Sequence, residues 1–345
     1  RLMSEPHARC IRSKHVVEGH TLSIQLRTAA IETICVDRKS QVLTSSTLAC
    51  LEGVATVNLT QGCAHRCAYC YSRGYSNYPG DNRIEIFANT VEKLRGELRR
   101  KHNPPHAVYF SPSSDLFQPV PELRDLAFEV LSLLLRSQIR VSFLTKGTIP
   151  PKHMELLISN APLVSAQIGL ITTDSSLCRQ LEPHAAMPAE RVAQARALSS
   201  CGIETTGRID PIIPHVTDDS ETFERVCHDF AAAGIRFLAA SVLFLRPAVA
   251  KALRSSDLNQ AARDRLFAAF QSRVRLPIHA RKSCVTALPA ETRNAILDRL
   301  RIAASAHDIT VRACACKNPD IASRACRIAG RAEGIARSRQ MVLFD

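Results

Sequence analysis

Tryptophan is absent from this 345-residue chain, and aromatic residues make up only 5% of it. Stacking platforms for flipped or single-stranded bases are therefore sparse, although 12 Phe and 5 Tyr remain available. No apolar run approaches the roughly 18 residues that a membrane-spanning helix needs. The longest candidates, around Leu131 to Leu135 and Leu238 to Leu245, are short, so no membrane partner is expected. The opening Arg1-Leu2-Met3-Ser4-Glu5 lacks the apolar core of a secretory signal. With 13 Gly, 18 Pro and 22% charged residues, the chain is neither low-complexity nor compositionally disordered.

What the chain does have is a hydrophobic fraction of 46%, enough for a substantial core, and a formal charge of +13. That surplus favours phosphate-bearing or otherwise anionic partners. Thirteen cysteines would read as a disulfide framework in a small secreted chain; here, without a signal, clustered cysteines point to metal. Cys63, Cys67 and Cys70 form one group, and Cys314, Cys316 and Cys326 another. The remaining seven (Cys10, Cys35, Cys50, Cys178, Cys201, Cys227 and Cys284) are scattered and read as small buried apolar side chains.

The middle of the chain alternates short β-rich runs with amphipathic stretches of helical length. Strands are expected at Ala55 to Leu59, His106 to Phe110, Arg140 to Leu144, Val164 to Ile171, Ile203 to Ile209 and Phe237 to Phe244. Helices fall between them, with Pro121 and Pro151 at first-turn positions and Gly202 and Gly234 after helix ends. Six such units predict an α/β fold with parallel strands and right-handed crossovers, either an open sheet or a partly closed barrel. Ligands then collect at the carboxyl ends of the strands. Residues 1–50 read as an irregular N-terminal extension, 51–245 as the core, and 246–345 as a helical C-terminal extension carrying the second cysteine group.

The run Asn58-Leu-Thr-Gln-Gly62-Cys63-Ala-His-Arg-Cys67-Ala-Tyr69-Cys70-Tyr71 puts three thiols in a loop after the first strand. Zinc sites favour four protein ligands with paired spacings, which makes a zinc knuckle the plain alternative. Three cysteines without an obvious fourth partner suit a [4Fe–4S] cluster that leaves one iron open. His65, inside the loop, is expected to point outward.

The C-x3-C-x2-C loop with an aromatic residue before its last Cys resembles the cluster loop of the radical S-adenosylmethionine (SAM) superfamily. Cys70-Tyr71, Ser111-Pro-Ser-Ser-Asp115-Leu-Phe-Gln-Pro119, Phe143-Leu-Thr-Lys146 and Arg208-Ile-Asp-Pro211-Ile-Ile-Pro214 narrow the likeness to relatives of spore photoproduct lyase, over roughly residues 50–245. The resemblance implies a partial (β/α)6 TIM-like barrel. It implies a cluster held by Cys63, Cys67 and Cys70, and SAM bound through that cluster and reductively cleaved. Tyr69 would lie on the adenine side, Ser113, Ser114 and Asp115 near the amino group of SAM, and Lys146 against its carboxylate. Arg208 would hold a carboxylate or ribose. The usual product pair is methionine and a 5′-deoxyadenosyl radical that takes hydrogen from substrate. A reducing cytoplasm and a flavodoxin or ferredoxin as electron donor follow from the same resemblance. The chain departs from spore photoproduct lyase where that enzyme's hydrogen-donating Cys would fall, since Pro112 stands there. Tyr71 and Cys284 are the candidate substitutes.

In the second group, C-x-C-x9-C, two thiols two positions apart on an extended segment share a face and can reach one metal. An auxiliary iron–sulfur cluster, a zinc site completed by His307 or another Cys, and ordinary buried cysteines all stay open. From Arg312 to Arg339 seven basic residues face two acidic ones, which can offset cluster charge, bind phosphate, or form a solvated face. Three functions therefore compete. One is radical chemistry on a small biosynthetic metabolite or peptide, with 3-amino-3-carboxypropyl transfer as a variant. Another is the same cofactor applied to DNA or RNA, and the third a metal-stabilised nucleic-acid-binding protein without catalysis.

Overall fold

The computed structural model describes residues 31–46, 49–100, 102–278, 283–321, 328 and 330. In chain order the strands are β1 (Glu32–Val36), β2 (Thr44–Ser45), β3 (Ala55–Val57), β4 (Thr60–Gln61), β5 (Arg83–Phe87), β6 (Ala107–Phe110), β7 (Arg140–Thr145), β8 (Val164–Gly169), β9 (Glu204–Ile212), β10 (Phe237–Val242), β11 (Val274–Ile278), β12 (Ser283–Ala287) and β13 (Thr310–Ala313). The helices are α1 (Thr90–Arg100), α2 (Pro121–Arg136), α3 (Pro151–Ile158), α4 (Ser175–Leu181), α5 (Pro188–Ser200), α6 (Ser220–Ala232), α7 (Pro247–Arg254), α8 (Gln260–Ala269) and α9 (Ala290–Ser305).

Local chemistry explains where these elements begin. Proline opens α2, α3, α5 and α7, where a missing N–H costs nothing. Asp174, Asp219 and Asn259 cap α4, α6 and α8 through side-chain oxygens that accept backbone N–H groups. On α2, Leu123, Leu126, Ala127, Val130, Leu131 and Leu134 recur at helical spacing and form its buried stripe.

The fold is mixed α/β around one eight-stranded sheet, ordered β13-β10-β9-β8-β7-β6-β3-β2. All neighbours run parallel except the edge pair β2 and β3. The six expected strands follow one another in chain order across it, an arrangement consistent with a partial barrel; among the described residues β2 and β13 remain edges. The sheet has two chemically different faces. Phe110, Phe143 and Ala166 share one register row and pack into the main core. The opposite face carries Tyr109, Ser142 and Ser165 in one row and Leu144, Gln167 and Thr206 in another. Buried parallel strands are ordinarily apolar on both sides. Here Ser142, Ser165, Gln167, Thr206 and Arg208 are all buried polar residues, beside a smaller apolar cluster of Leu51, Tyr109, Ala239 and Cys314, so this face is the more polar of the two.

Three features depart from the sequence expectation. Residues before the core contribute β1, which pairs parallel with β5, and β5 pairs antiparallel with β4, so a small separate sheet braces both ends of the cysteine loop. The C-terminal region is not purely helical: β11 and β12 form an antiparallel hairpin, and β13 adds to the main sheet beside β10. Of the scattered cysteines, Cys178 and Cys227 are buried, but Cys201 and Cys284 are exposed and Cys35 is disulfide-bonded. Cys10 lies outside the described residues. No described helix is long and apolar enough to cross a membrane.

Candidate active site

The cysteine loop leaves β4 and folds on itself through the Arg66 N–H to Cys63 O bond (3.3 Å) and the Cys70 N–H to Cys67 O bond (3.1 Å). Arg73 pins it from outside, donating to the carbonyls of Arg66 (3.1 Å) and Cys67 (3.2 Å). From inside, the Ala64 N–H donates to Gln118 Oε1 at 2.7 Å and the Ala68 N–H to Leu181 O at 2.8 Å. The loop is thus fixed to the segments that follow β6 and β8. Cys67 is buried, Cys63 and Cys70 half-buried, and the Cys70 thiol lies 2.9 Å from Ser72 Oγ.

Burial, reinforced by the Asp115 carboxylate, pushes the Cys63 thiol well up from its ordinary value. Burial and then Glu182 do the same to Cys67, against the opposing charge of Lys146. Both groups are held neutral until a cation compensates their charge, so loading a metal on them would release protons. Among the described residues no group of three or more His, Cys, Asp or Glu forms a ready single-ion site. Zinc sites favour four protein ligands, and the loop supplies three thiols, the number that holds a cubane cluster with one iron left open.

His65 corrects the expectation that it points outward. It is buried, with Nδ1 3.0 Å from His184 O and Nε2 3.3 Å from Asp115 Oδ2, so both ring nitrogens face protein atoms rather than a metal. Asp115 is likewise engaged inside the fold. Its Oδ1 accepts from Phe117 N–H and Thr145 Oγ1, each at 2.8 Å, and its Oδ2 accepts from Lys146 N–H at 2.8 Å. Burial raises this carboxyl, but His65 and those donors outweigh it and hold it below the ordinary value. Asp115 therefore ties the end of β6 to the end of β7 and to the loop.

Lys146 leaves the end of β7 with Nζ 5.4 Å from the centroid of the Tyr69 ring and 3.4 Å from Asp210 O. Its stem crosses Gly169 at the end of β8, where an added Cβ would sit 2.9 Å from Lys146 Cγ; glycine is what lets the lysine reach the loop. Tyr69 is buried and its hydroxyl donates to Glu182, which in turn pairs with Arg191 at 2.5 Å. Ser113 spends N–H (3.1 Å) and Oγ (2.9 Å) on Asn58 Oδ1. Ser114 Oγ is buried with no hydrogen-bond partner. A buried hydroxyl left unsatisfied is costly, and in the run that also holds Asp115 it is a polar atom, like Ser111 Oγ, that a bound ligand could complete.

Arg208 lies deeper, on β9. Its fork donates to Asp210 Oδ2 (2.7 and 3.1 Å) and Gln167 Oε1 (3.2 Å). Lys317, from the segment after β13, reaches both oxygens of Asp210 at 2.7 Å. Burial raises the Asp210 carboxyl, but Lys317 and Arg208 outweigh it and leave it far below the ordinary value. Tyr71 lies against the same segment: its hydroxyl donates to Pro112 O, and Lys317 Nζ is 5.9 Å from its ring centroid. Cys284 is exposed on β12 opposite Pro277, outside the residues gathered around the loop. Cys314 is buried and Cys316 half-buried, while Cys326 lies outside the described residues.

Sequence reasoning missed Glu182, Arg191, Lys317 and Cys50. Glu182 and Arg191 carry no spacing signal, because the chain meets the loop there only through long-range folding. Cys50, whose backbone N–H donates to Cys316 Sγ at 3.2 Å, is 266 residues away from it in sequence.

Known proteins share the fold and part of the sequence of this chain. Uncharacterized proteins of Mycobacterium bovis and Mycobacterium tuberculosis are 30% identical over 200 residues, covering 55% of this chain and 59% of theirs. The chain thus matches less than two thirds of the length of these relatives. Among solved structures, a spore photoproduct lyase variant superposes with a TM-score of 0.61 at 14% identity, covering 81% of each chain. A second variant, with bound AdoMet and dinucleoside spore photoproduct, gives 0.61 at 12% identity, again over 81% of each chain. At that identity the likeness is one of fold. Residues 57–254, which contain the loop, Lys146 and Arg208, match the sequence pattern of the Radical SAM superfamily, and the chain is an enzyme belonging to that superfamily.

Proposed function

We propose that this protein reductively cleaves SAM at a [4Fe–4S] cluster held by Cys63, Cys67 and Cys70, within a partial (β/α)6 barrel. The observation that carries the reading is the Lys146 ammonium held over Tyr69 of the three-thiol loop, with the unsatisfied Ser114 hydroxyl in the run after β6. When bound, the cluster and SAM supply an electron and a carbon-centred radical, chemistry that no side chain can perform. The protein's own residues bind and orient. Lys146 supplies the point charge for the SAM carboxylate, and Ser114 the hydroxyl for its amino group, with Ser113 alongside. Tyr69 forms the adenine-side wall, held in place by Glu182 and Arg191. Asp115 positions Lys146 and the loop rather than touching SAM.

The substrate we assign is small and anionic or nucleotide-like, received on the polar face of the sheet near Arg208, Asp210 and Lys317. The net charge of +13 and this polar lining support it. Tyr71 is better placed than Cys284 as a hydrogen donor, because its hydroxyl is held at Pro112, where spore photoproduct lyase relatives would carry a Cys. Cys314, Cys316 and Cys326 are read as belonging to an auxiliary iron–sulfur site, and flavodoxin or ferredoxin in the cytoplasm as the electron source.

The test is anaerobic incubation of reconstituted protein with SAM and dithionite, followed by mass spectrometry. 5′-Deoxyadenosine is the expected product. 5′-Methylthioadenosine would instead establish 3-amino-3-carboxypropyl transfer, and neither product with iron fully loaded would overturn the reading. Steeply salt-dependent binding of DNA or RNA would move the substrate to nucleic acid.

A further inference from the structure

Cys50 precedes β3 near one edge of the main sheet, and Cys316 follows β13 at the other edge. The chain after β13 turns sharply, with Lys317 N–H and Asn318 N–H both donating to Cys314 O at 3.1 and 3.0 Å. This turn carries Cys314 and Cys316 over the polar face of the sheet. There Cys316 Sγ accepts the Cys50 N–H at 3.2 Å, and Cys50 and Cys316 both pack against the apolar cluster that contains Cys314. None of the three is disulfide-bonded. Leu51, Tyr109 and Ala239 close around Cys314, with Leu144, Cys50 and Cys316 packed against them.

We infer that Cys50, Cys314 and Cys316 hold a second iron–sulfur centre at the seam where the two edges of the open sheet meet. The inference builds on the reading of the C-terminal cysteines as metal-binding and adds Cys50 from the other end of the chain; it does not depend on which bond of SAM is cleaved. Three cysteines packed in one apolar cluster, two of them joined by a hydrogen bond, are the ligand type such a centre uses. The Cys50 N–H donated to Cys316 Sγ lowers the cost of thiolate charge there. The centre would sit beside Lys317 and Asp210, against the face assigned to substrate.

The experiment removes the first cluster to reveal the second. Cys63, Cys67 and Cys70 are all changed to Ala, the protein is reconstituted anaerobically, and iron, acid-labile sulfide and zinc are measured. The expected result is about half of the wild-type iron and sulfide, falling at least fivefold further when Cys50→Ser is added and unchanged when the exposed Cys201→Ser is added instead. Zinc in place of iron, no metal at all in the loop variant, or full retention after Cys50→Ser would each overturn the inference. If the loop variant keeps all the wild-type iron, it is the assignment of the first cluster that fails. Alkylation of otherwise unaltered protein guards against misfolded variants: Cys50 and Cys316 should be protected when loaded and become reactive after chelation. Equal reactivity before and after chelation would also overturn the inference.

Discussion

Glu182 and Arg191 form an ion pair shielded from solvent behind Tyr69, with side-chain exposures of 0% and 1%. Arg191 also donates to Ala186 O at 2.7 Å and Gly169 O at 3.0 Å, so one guanidinium joins the wall of the site to the end of β8. Removing one partner of such a pair leaves an uncompensated buried charge. Arg191→Met should therefore destabilise the fold by about 3–5 kcal/mol, measured as a shift of the urea midpoint; a loss under about 1 kcal/mol would show that Glu182 finds another partner or a proton. Lys146 calls for a different readout. Lys146→Met should weaken SAM binding by roughly 10–100-fold, the worth of one charge-assisted contact, while iron content stays at the wild-type level. Equilibrium dialysis with labelled SAM measures the first quantity and iron assay the second; unchanged affinity would remove Lys146 from the site. At this scale the sequence shows what local spacing can encode. Three cysteines within eight positions announce a cluster loop. Cys50 looks like any isolated thiol, because its meaning is set by a partner at the far end of the chain.

Elements follow the same logic. The long amphipathic helices were readable because their stripes and first-turn prolines are local: α2 spans Pro121–Arg136, as its periodicity and Pro121 predict. The core strands are displaced from expectation by only a few residues, because a buried parallel strand is a compact apolar run between turns. What the sequence did not disclose is pairing between segments with weak patterns. β5 reads RIEIF, an alternation that needs β1 and β4 on its flanks to become a sheet. β13 has only four residues and is a strand because the edge of β10 lies open to it. Connections carry the site's tolerances. At Gly147, just past β7, an added Cβ would lie 2.0 Å from Phe117 O and 3.1 Å from His65 Cε1. Neither backbone nor buried ring can yield cheaply, so Gly147→Ala should cost about 1–3 kcal/mol and weaken SAM binding by shifting Lys146. Gly74→Ala, with nothing within 4 Å of the new Cβ, is the control and should stay within about 0.5 kcal/mol. Thermal melts on both variants decide this, and equal melting points would refute the packing argument.

Across the whole molecule, the C-terminal segment is held by charge as well as by β13. Fully buried Arg293 on α9 donates to Asn318 Oδ1 at 2.9 Å and pairs with Asp320, while Lys317 pairs with Asp210 on β9. The Asp210 carboxyl is depressed because Lys317 and Arg208 outweigh its burial. A depressed carboxyl contributes stability that is fully present above its unfolded value and is lost as the pH falls toward its folded value. The direction is therefore fixed: acid should loosen the seam. In Asp210→Asn the amide cannot titrate in this range, so the variant should be less stable than wild type near neutral pH, by about 2–4 kcal/mol for a charge cluster broken on one side. The gap should hold above roughly pH 5 and shrink progressively below it. Urea titrations of both proteins from neutral to strongly acidic pH, with limited proteolysis following release of the segment after β13, measure the two quantities together. A gap that stayed constant down to acid would mean that Asp210 acts through shape rather than charge. A gap that closed while the segment stayed protease-resistant would place its anchorage on β13 and Arg293 instead.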